Sequence, residues 1–324
     1  MCTKLKEFKV GEGDANTRLD RYLRRLFTQN IPQSLIESAV RKKQIKLCNS
    51  EQKLSSATRV KFDQRLYIAD SILNSLENIT KNKDDIDQKK YTGVSKKLQN
   101  TIRKSIIYED ENIVVINKPF GIPVQSGSGI KESIDFAIKS IYKDAHVVHR
   151  LDKHTTGVLI FAKNLKSTTE IWNLFKNRKI DKKYIAIVVG KINQKSGQIK
   201  NFLKKGFVGG EEIMQCDLTQ GDLAITNFTV VDVCKDASLV SLEPKTGRKH
   251  QIRVHMNHLG HPILCDGKYG RKTAFLKSMP NKNMNLHAES LCFCLFGKSI
   301  EITAKKPAHF EDNCSFLFNV DEKN

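Results

Sequence analysis

The chain has 324 residues, a length that predicts about two domains and is enough to bury a hydrophobic core. Lysine and arginine total 55 and aspartate and glutamate total 35, which gives a formal charge of +20. Such an excess predicts a polyanionic partner such as nucleic acid, and the alternative is a basic surface that only aids solubility. The eight cysteines have no zinc-ribbon or CxxC spacing, and no segment resembles a signal peptide or a membrane span. These features exclude a disulfide-rich secreted protein and predict a cytoplasmic one with reduced thiols.

Residues 16–73 are predicted to form a small αβ domain. Leucine and tyrosine residues that recur at i, i+3, i+4 and i+7 predict a first helix over 17–27. A second helix is expected over 32–43, with Pro32 near its start and three cations at its end, as suits helix termini. Two short strands are predicted after the helices, at 45–47 and 59–62, with a polar turn at 49–50 between them.

This first domain has a basic face. The segment Arg18-Leu19-Asp20, the helix over 32–43 and the strand at 45–47 resemble the S4 RNA-binding domain, in which the second helix and the following turn lie on an RNA backbone. The resemblance implies RNA contacts from five residues, which are Arg18, Arg41, Lys42, Lys43 and Lys46. Charge alone leaves a second interpretation open, an ordinary solvated helix face.

Residues 74–104 are polar, rich in lysine, asparagine and aspartate, and almost without apolar periodicity. This composition favours an interdomain linker. A partly helical segment that becomes ordered on RNA is the alternative.

A second domain is predicted over 105–320. It begins with a hairpin, in which an acidic turn joins a short strand at 106–108 to a buried strand at 113–119. The glycine-rich loop at 121–129 lacks the spacing of a phosphate loop or a dinucleotide fingerprint, so by itself it is weak evidence for a ligand. A helix is expected over 131–143.

The segment at 147–162 contains the most informative cluster of ionisable residues. His149, Arg150 and Asp152 precede a polar turn. The apolar run over 158–162 is too short for a helix and rich in β-branched residues, which predicts a fully buried central strand. A carboxylate in the turn before such a strand has a rigid support, from which it can be aimed at a substrate.

The rest of the domain is predicted to be rich in strands. Ser167 and Glu170 suggest a capping box before a helix. The core stripe of this helix is predicted to contain Ile171, Trp172, Leu174 and Phe175. Further strands are expected at 185–189, 199–203, 224–233 and 238–242. Because few helices separate them, we predict an α+β fold with a mixed, mostly antiparallel sheet flanked by helices rather than a doubly wound sheet.

A short helix is predicted just after residue 250. Its apolar stripe and the stop signal that follows are Ile252, His255, Met256, Leu259 and Gly260. Arg253 falls beside this stripe, so we expect a half-buried cation that points into a cleft.

Four segments of the second domain resemble, in their order along the chain, the motifs of the RluA-type RNA pseudouridine synthases. They are the loop around NKPFGIPVQSGSG, then HRLDKHTTGVLIFAKN, KKYIAIVVG and TGRKHQIRVHMNHLGHPI. The similarity spans about residues 105–305 and, with the S4-like N-terminus, most of the chain. It implies a pseudouridine synthase catalytic domain that isomerises uridine within RNA.

The resemblance also implies roles for individual residues. Asp152 matches the family's essential aspartate, which must be ionised and acts either as a nucleophile or as a base that takes a proton from C2′. Arg253 is implied as its charged partner and Tyr184 as the residue that stacks on the target base, with proton transfer at C5 as an added role. Arg150 is a candidate to fill the space that a flipped base leaves. The substrate-binding set is completed by His149 and Thr156.

The partner that the resemblance implies is RNA, with no cofactor and no metal. Members of this group that carry an S4 domain modify ribosomal RNA, so we expect large-subunit ribosomal RNA or its precursor as the substrate. Relatives that act on tRNA share the catalytic motifs, and tRNA remains an alternative. We expect a monomer with no membrane partner.

Two other classes of function are compatible with parts of the sequence. Histidines and a cysteine at 250, 255, 258, 261 and 265 suggest a metal hydrolase, but no HExxH or carboxylate partner accompanies them. An RNA-binding protein without catalysis would have lost Asp152, Tyr184 or Arg253, and all three are present. The departures from the family pattern, Thr156 in place of a common serine and Lys249 in place of a usual threonine, bear on substrate preference.

Overall fold

The structure is a computed structural model, and it describes residues 5–27, 31–48, 54–75, 94–126 and 132–318. The chain separates into two compact units, Met1–Thr92 and Gly93–Asn324. Within the described ranges, no helix is long and apolar enough to span a membrane.

The first unit contains a three-stranded antiparallel sheet and two helices. Its elements are β1 Leu5–Lys9, a 3₁₀ turn Glu12–Asp14, α1 Leu19–Leu26, α2 Gln33–Arg41, β2 Ile45–Leu47 and β3 Arg65–Ala69. The strand order is β1-β3-β2, and helical backbone follows at 70–75. Leu19, Leu23 and Ile36 from the helices pack with Leu66 of β3 in the core of this unit.

Both predicted helices and the strand at 45–47 are confirmed. The strand predicted at 59–62 is wrong, because Arg59 forms only an isolated bridge and the strand lies further on, in β3. The chain turns at Asp63, whose φ of 63° is left-handed, so an extended strand cannot continue through it. The predicted turn at 49–50 lies outside the described residues.

Residues 96–104 differ from the linker predicted over 74–104. They form α3, Lys96–Lys104, in which Ser95 Oγ caps the N-terminus by accepting the Leu98 amide at 3.2 Å. Leu98 and Ile102 are buried in a cluster of the second unit. Two apolar residues one turn apart are enough to anchor a helix once a core is present, but they are too few to make a visible period in the sequence. Residues 76–93 lie outside the described ranges.

The second unit is built on a mixed sheet of 11 strands. Its other helical elements are α4 Ile134–Ile141, α5 Leu165–Lys176, α6 Gln251–His258, a 3₁₀ turn Arg271–Ala274 and α7 Ala308–Phe318. Its strands are β4 Ile106–Glu109, β5 Ile113–Lys118, β6 His146–Val147, β7 Thr156–Ala162, β8 Asp181–Val189, β9 Ser196–Val208, β10 Glu211–Asp217, β11 Asp222–Val233, β12 Ala237–Pro244, β13 Leu286–Leu295 and β14 Lys298–Thr303. The strand order is β10-β9-β11-β12-β8-β13-β7-β5-β4, and in addition β14 pairs with β13 and β6 pairs with β7. Strands β13 and β7 are parallel, whereas the neighbouring pairs β5–β7 and β8–β13 are antiparallel. The α+β class and the mixed, mostly antiparallel sheet are confirmed.

Strand β7 lies at the centre of this unit, and all of its residues are buried. Because successive side chains of a strand point to opposite faces, Val158 and Ile160 pack on one face with α5, and Leu159 and Phe161 pack on the other with α4. Each such side chain contributes about 1.5–3 kcal/mol through burial. The buried central strand predicted from the sequence is confirmed, and it gives the loop of Asp152 a rigid support.

Helix α5 departs from the sequence prediction in two details. Asn164 is the N-cap, and its side chain accepts the Ser167 amide at 2.8 Å, so the capping box predicted at Ser167 and Glu170 is wrong. Ile171 and Leu174 are buried, whereas Trp172 is 57% exposed and lies outside the core stripe.

Candidate active site

Asp152 stands in the loop between β6 and β7, at the edge of the sheet where β7 begins. The Thr155 amide donates to the Asp152 carbonyl oxygen at 3.1 Å and closes a turn in this loop. The Asp152 side chain remains 25% exposed. Its carboxylate is therefore held at the surface of the unit, where a substrate can reach it.

Arg253 of α6 holds one oxygen of Asp152. Its Nη1 donates to Asp152 Oδ2 at 3.0 Å, while its Nε and Nη2 donate to Asp266 at 2.7 and 2.8 Å. The side chains of Arg253 and Asp266 are only 8% and 1% exposed. The pKa of Arg253 is raised although burial acts to lower it. Asp266 outweighs burial through its hydrogen bonds and its charge, and the charge of Asp152 adds to this effect. The expected pair of Asp152 and Arg253 is present, and Asp266 fixes the orientation of the guanidinium.

His250 approaches the other oxygen of Asp152. Its Nε2 lies 3.6 Å from Asp152 Oδ1, and its Nδ1 lies 2.6 Å from the hydroxyl of Tyr269. The Tyr269 oxygen also accepts the Met214 amide at 3.4 Å; in the tautomer in which Tyr269 donates to Nδ1, the proton of a neutral His250 is on Nε2. Burial lowers the pKa of His250; Asp152 opposes this shift and Arg253 adds to it. In that tautomer, a neutral His250 presents its Nε2–H group to Asp152.

Tyr184 lies on β8, opposite Leu242 of β12 and Ala288 of β13. Its ring packs against two apolar clusters of the second unit. Burial, and then the charge of Asp152, raise the pKa of Tyr184, so the phenol keeps its proton. A planar base that stacked on this ring would lie beside the Asp152 carboxylate.

Lys118 is a buried amine next to the loop of Asp152. Its side chain is 1% exposed, and Nζ donates to the carbonyl oxygens of Pro119 at 2.9 Å and Lys153 at 3.0 Å. Burial lowers the pKa of Lys118 to about 7, and the charge of Asp152 opposes this shift. Because Lys153 directly follows Asp152, the amine ties the loop to the end of β5.

Replacing Lys118 with Met is expected to remove a pH-dependent part of the stability. Lys118 has an ordinary pKa of 10.5 in the unfolded chain and a pKa of about 7 in the folded chain. Between these two pH values, the unfolded chain therefore binds one more proton at this residue than the folded chain does. In the wild type the free energy of unfolding should therefore rise with pH through this window, by roughly 1.4 kcal/mol per pH unit relative to Lys118→Met. Urea unfolding at several pH values, followed by the fluorescence of the single tryptophan, Trp172, tests this; parallel pH profiles of the two proteins would contradict it.

The other predicted site residues of this unit differ in their contacts. His149 Nε2 accepts the Ile160 amide at 3.0 Å, and burial lowers the pKa of His149 to about 3, so the ring is neutral. Thr156 Oγ1 lies 2.8 Å from His287 Nδ1 inside the sheet. Arg150 is exposed, and in the described part of the chain its side chain has no hydrogen bond or ion pair. The structure thus brings Asp152, Tyr184 and Arg253 together, whereas His149 and Thr156 contact groups of the protein itself.

The predicted RNA-binding residues lie in the first unit. Four of them are exposed at the end of α2, just after it or on β2, and these are Arg41, Lys42, Lys43 and Lys46. Arg18 instead donates two hydrogen bonds to Asp20, at 3.1 and 2.9 Å. Its guanidinium is therefore less available than the other four cations.

Comparison with known proteins gives consistent matches. A family model described as RNA pseudouridylate synthase matches residues 112–258. The ribosomal large subunit pseudouridine synthase C of Rickettsia felis is 37% identical over 311 residues, which cover 92% of this chain and 97% of the relative, and the Rickettsia conorii protein of the same name is 37% identical with the same coverage. The solved structure of human RNA pseudouridylate synthase domain containing 4 matches with a TM-score of 0.56 and 27% identity, over 67% of this chain and 94% of that chain.

The chain belongs to the RNA pseudouridylate synthase family. It is an RNA pseudouridine synthase, an enzyme that isomerises uridine to pseudouridine within RNA. The part of the synthase that the family model matches contains Asp152, Tyr184 and Arg253.

The sequence analysis missed three further residues of the synthase site, which are Lys118, Asp266 and Tyr269. Asp266 lies 13 residues after its partner Arg253, in irregular chain beyond α6, and Tyr269 follows it. Lys118 ends a strand that is otherwise mostly apolar. A charged side chain at the end of a buried strand needs polar partners, and this is the one signal for Lys118 in the sequence. The contacts of Asp266 and Tyr269 depend on the tertiary structure alone.

Within the described ranges, no group of three or more histidine, cysteine, aspartate or glutamate side chains of the synthase is arranged to hold a metal ion. His255 lies 2.9 Å from Thr226 Oγ1 and 3.0 Å from Asn201 Oδ1. His261 Nδ1 lies 3.0 Å from the Val189 carbonyl oxygen. Both rings bond to groups inside the fold, which leaves the metal-hydrolase alternative without a set of ligands in these residues.

Proposed function

We propose that the protein isomerises specific uridines in large-subunit ribosomal RNA, or its precursor, with Asp152 as the essential catalytic residue. The observation that carries this proposal is the partly exposed Asp152 carboxylate, of which Oδ2 accepts a hydrogen bond from Arg253 at 3.0 Å. The choice of RNA is supported by the relatives, which are named for the ribosomal large subunit. tRNA is the competing substrate that the experiment below must exclude.

The reaction breaks the bond from C1′ to N1 and forms a bond from C1′ to C5, while C5 loses a proton and N1 gains one. An ionised Asp152 can either attack C1′ or take the proton of C2′, and both routes need a free carboxylate oxygen. We assign this role to Oδ1, because Oδ2 is held by Arg253 and the nearest donor to Oδ1, His250 Nε2, lies 3.6 Å away. The Arg253 guanidinium at Oδ2 holds the carboxylate in position for either route.

Tyr184 is proposed to stack on the flipped uracil. Its pKa is raised by burial and by Asp152, so it enters the reaction as a neutral phenol that can support the base and donate a hydrogen bond. Flipping the base costs a few kcal/mol, which contacts with the RNA backbone must offset. Arg150, which is exposed, is proposed to occupy the space that the base leaves. His149 and Thr156 are proposed to shape the pocket by anchoring β7 behind Asp152.

The first unit is proposed to be an S4-like RNA-binding domain. The variant Lys42→Gln/Lys46→Gln removes two exposed cations near the end of α2, so RNA affinity should fall and its logarithmic salt dependence should become shallower by about 1.4 to 1.8. The matched control is Lys6→Gln/Lys9→Gln, because β1 lies on the opposite edge of the three-stranded sheet from β2. RNA binding measured across a salt series tests this; equal slopes for the two variants would contradict it.

We further propose that the enzyme works in the cytoplasm as a monomer without a small-molecule cofactor. Ribosomal RNA is made and assembled in the same compartment where cysteines stay reduced. Sedimentation of the purified protein with and without RNA measures the oligomeric state.

The test of the proposed function uses purified protein and unmodified RNA. Large-subunit ribosomal RNA and a tRNA pool, both transcribed without modification, are incubated with the enzyme and their pseudouridines are mapped after carbodiimide treatment. We expect pseudouridine at a small number of sites in the ribosomal RNA, and loss of the same sites in a strain that lacks the gene. Modification of tRNA alone would make the proposed substrate wrong, and no modification of either RNA would make the proposed activity wrong.

A further inference from the structure

An open groove lies where β8 begins, beside the end of α5 and the end of β12. Its volume is about 390 Å³, within the size range of ligand pockets. The groove is lined by residues from the end of α5 to the start of β8, at the end of β12 and in β13, and these are Phe175, Arg178, Ile180, Asp181, Lys182, Lys183, Glu243, Pro244, Lys245, Ser290 and Cys292. It contains neither Asp152 nor any other residue assigned above to the reaction.

Cations outnumber anions in this groove, and three of them converge. Burial lowers the pKa of Lys182, and the positive charges of Arg178 and Lys245 lower it further, so the three cations lie close enough to repel one another. Among the residues that the structure describes, Lys182 Nζ donates to the Thr246 carbonyl oxygen alone, at 3.3 Å. Glu243 pairs with Lys245 at 2.9 Å, but in the described part of the chain no carboxylate pairs with Arg178 or Lys182. The groove therefore holds positive charge that the protein itself does not neutralise.

The basic hairpin of β9 and β10 provides a contrast. Lys204 pairs there with Asp217, and Lys205 and Lys249 both pair with Glu212, at 3.1 and 3.0 Å. These cations are offset by carboxylates of the same surface. Arg178 and Lys182 differ from these hairpin cations, because no carboxylate of the described residues pairs with them.

The groove and Tyr184 share strand β8. Lys182 and Tyr184 are two residues apart on this strand, on either side of an irregularity in its pairing with β13, and lie about 7 Å apart along it. Lys182 also bonds to Thr246, which leads into α6 and to Arg253. A strand of RNA whose flipped base stacks on Tyr184 would continue past Lys182 into the groove. The partly buried ring of Phe175 adds an aromatic surface, and cations combined with aromatic rings are typical of single-strand binding sites.

We propose that this groove binds the phosphodiester backbone of the RNA strand next to the target uridine, through Arg178, Lys182 and Lys245. The inference rests on the proposed RNA substrate, but it concerns binding and not the chemical step. Polyanion binding relieves the repulsion among the three cations, so the groove adds binding free energy that helps to offset base flipping.

The test measures RNA binding in the Asp152→Asn background, where the RNA stays unmodified. The variant Arg178→Asn/Lys245→Gln removes two exposed charges, and Asn suits the left-handed backbone of residue 178, whose φ is 56°. The matched control is Lys191→Gln/Lys235→Gln, because these exposed lysines stand at the far ends of the same two strands, β8 and β12. The probes are the large-subunit ribosomal RNA transcript and an oligouridine of about 12 nucleotides, a length typical of single-strand sites.

We expect the groove variant to bind both probes about tenfold more weakly than the control, with a logarithmic salt dependence that is shallower by about 1.4. Equal affinities and equal salt slopes for the two variants would overturn the proposal. Thermal melting of both proteins, which should match, excludes a folding defect as the cause. This test measures RNA binding, whereas the proposed function is tested by pseudouridine formation. Either proposal can therefore be wrong while the other is right.

Discussion

Asp152→Asn is expected to abolish pseudouridine formation, with a rate at least about a thousandfold below that of the wild type, a loss in the range reported for removal of an acid–base group. Asparagine has the same shape and can still accept the hydrogen bond that Arg253 donates at 3.0 Å, so the loop should keep its conformation. What it lacks is the negative charge that either proposed route requires. RNA affinity should stay within a few-fold of the wild type, because the proposed phosphate contacts lie elsewhere.

The control for this variant is Asp144→Asn, which changes an exposed aspartate in the chain just before β6. It should retain wild-type activity. Both proteins are assayed by carbodiimide mapping under single-turnover conditions, so that slow product release does not conceal the chemical step. Wild-type turnover by Asp152→Asn would exclude this carboxylate from the reaction and, with it, the proposed mechanism.

Arg253→Leu is expected to lower the rate of pseudouridine formation by about a hundredfold, the scale of removing one preorganised donor from an active site. Without the guanidinium, Asp152 Oδ2 loses the donor that holds it at 3.0 Å, so the carboxylate is no longer fixed in position for the reaction. The comparison is made below about pH 6, where Lys118 carries its proton in both proteins because its pKa is about 7. His250 also faces Asp152, and its pKa is lowered by burial and by the charge of Arg253, so the two proteins are compared at one fixed pH.

Asp266→Asn separates the charge of Arg253 from its orientation. This variant keeps the cation beside Asp152 but removes the carboxylate that receives Nε and Nη2 of Arg253. We expect a lower maximal rate than in the wild type, but a smaller loss than in Arg253→Leu. Arg253→Leu also leaves Asp266 buried without its partner, which costs about 3–5 kcal/mol, so its melting temperature should fall as well. A wild-type rate in Arg253→Leu would mean that the ion pair does not position Asp152 for the reaction.

Much of the second unit could be predicted from local patterns, and the exceptions have physical causes. The run from Val158 to Ala162 predicts a buried strand because both of its faces are apolar. Strand β13 has no such signal, since Glu289 lies at an irregularity in its pairing with β8 and interrupts the apolar pattern. Its position between β8 and β7 nevertheless sets the distance between Tyr184 and the loop of Asp152.

The sequence by itself determined the α+β class, the buried strand behind Asp152 and, through its resemblance to a family, the three residues that meet in the site. These features depend on local periodicity and on motifs of a few residues. Only the tertiary structure decided that Asp266 orients Arg253, that His250 presents Nε2 to Asp152, and that Lys118 is buried. These contacts join residues far apart in the chain, as the separation of 101 residues between Asp152 and Arg253 illustrates. The energy of a charge depends on the groups that surround it in space rather than on its neighbours in sequence.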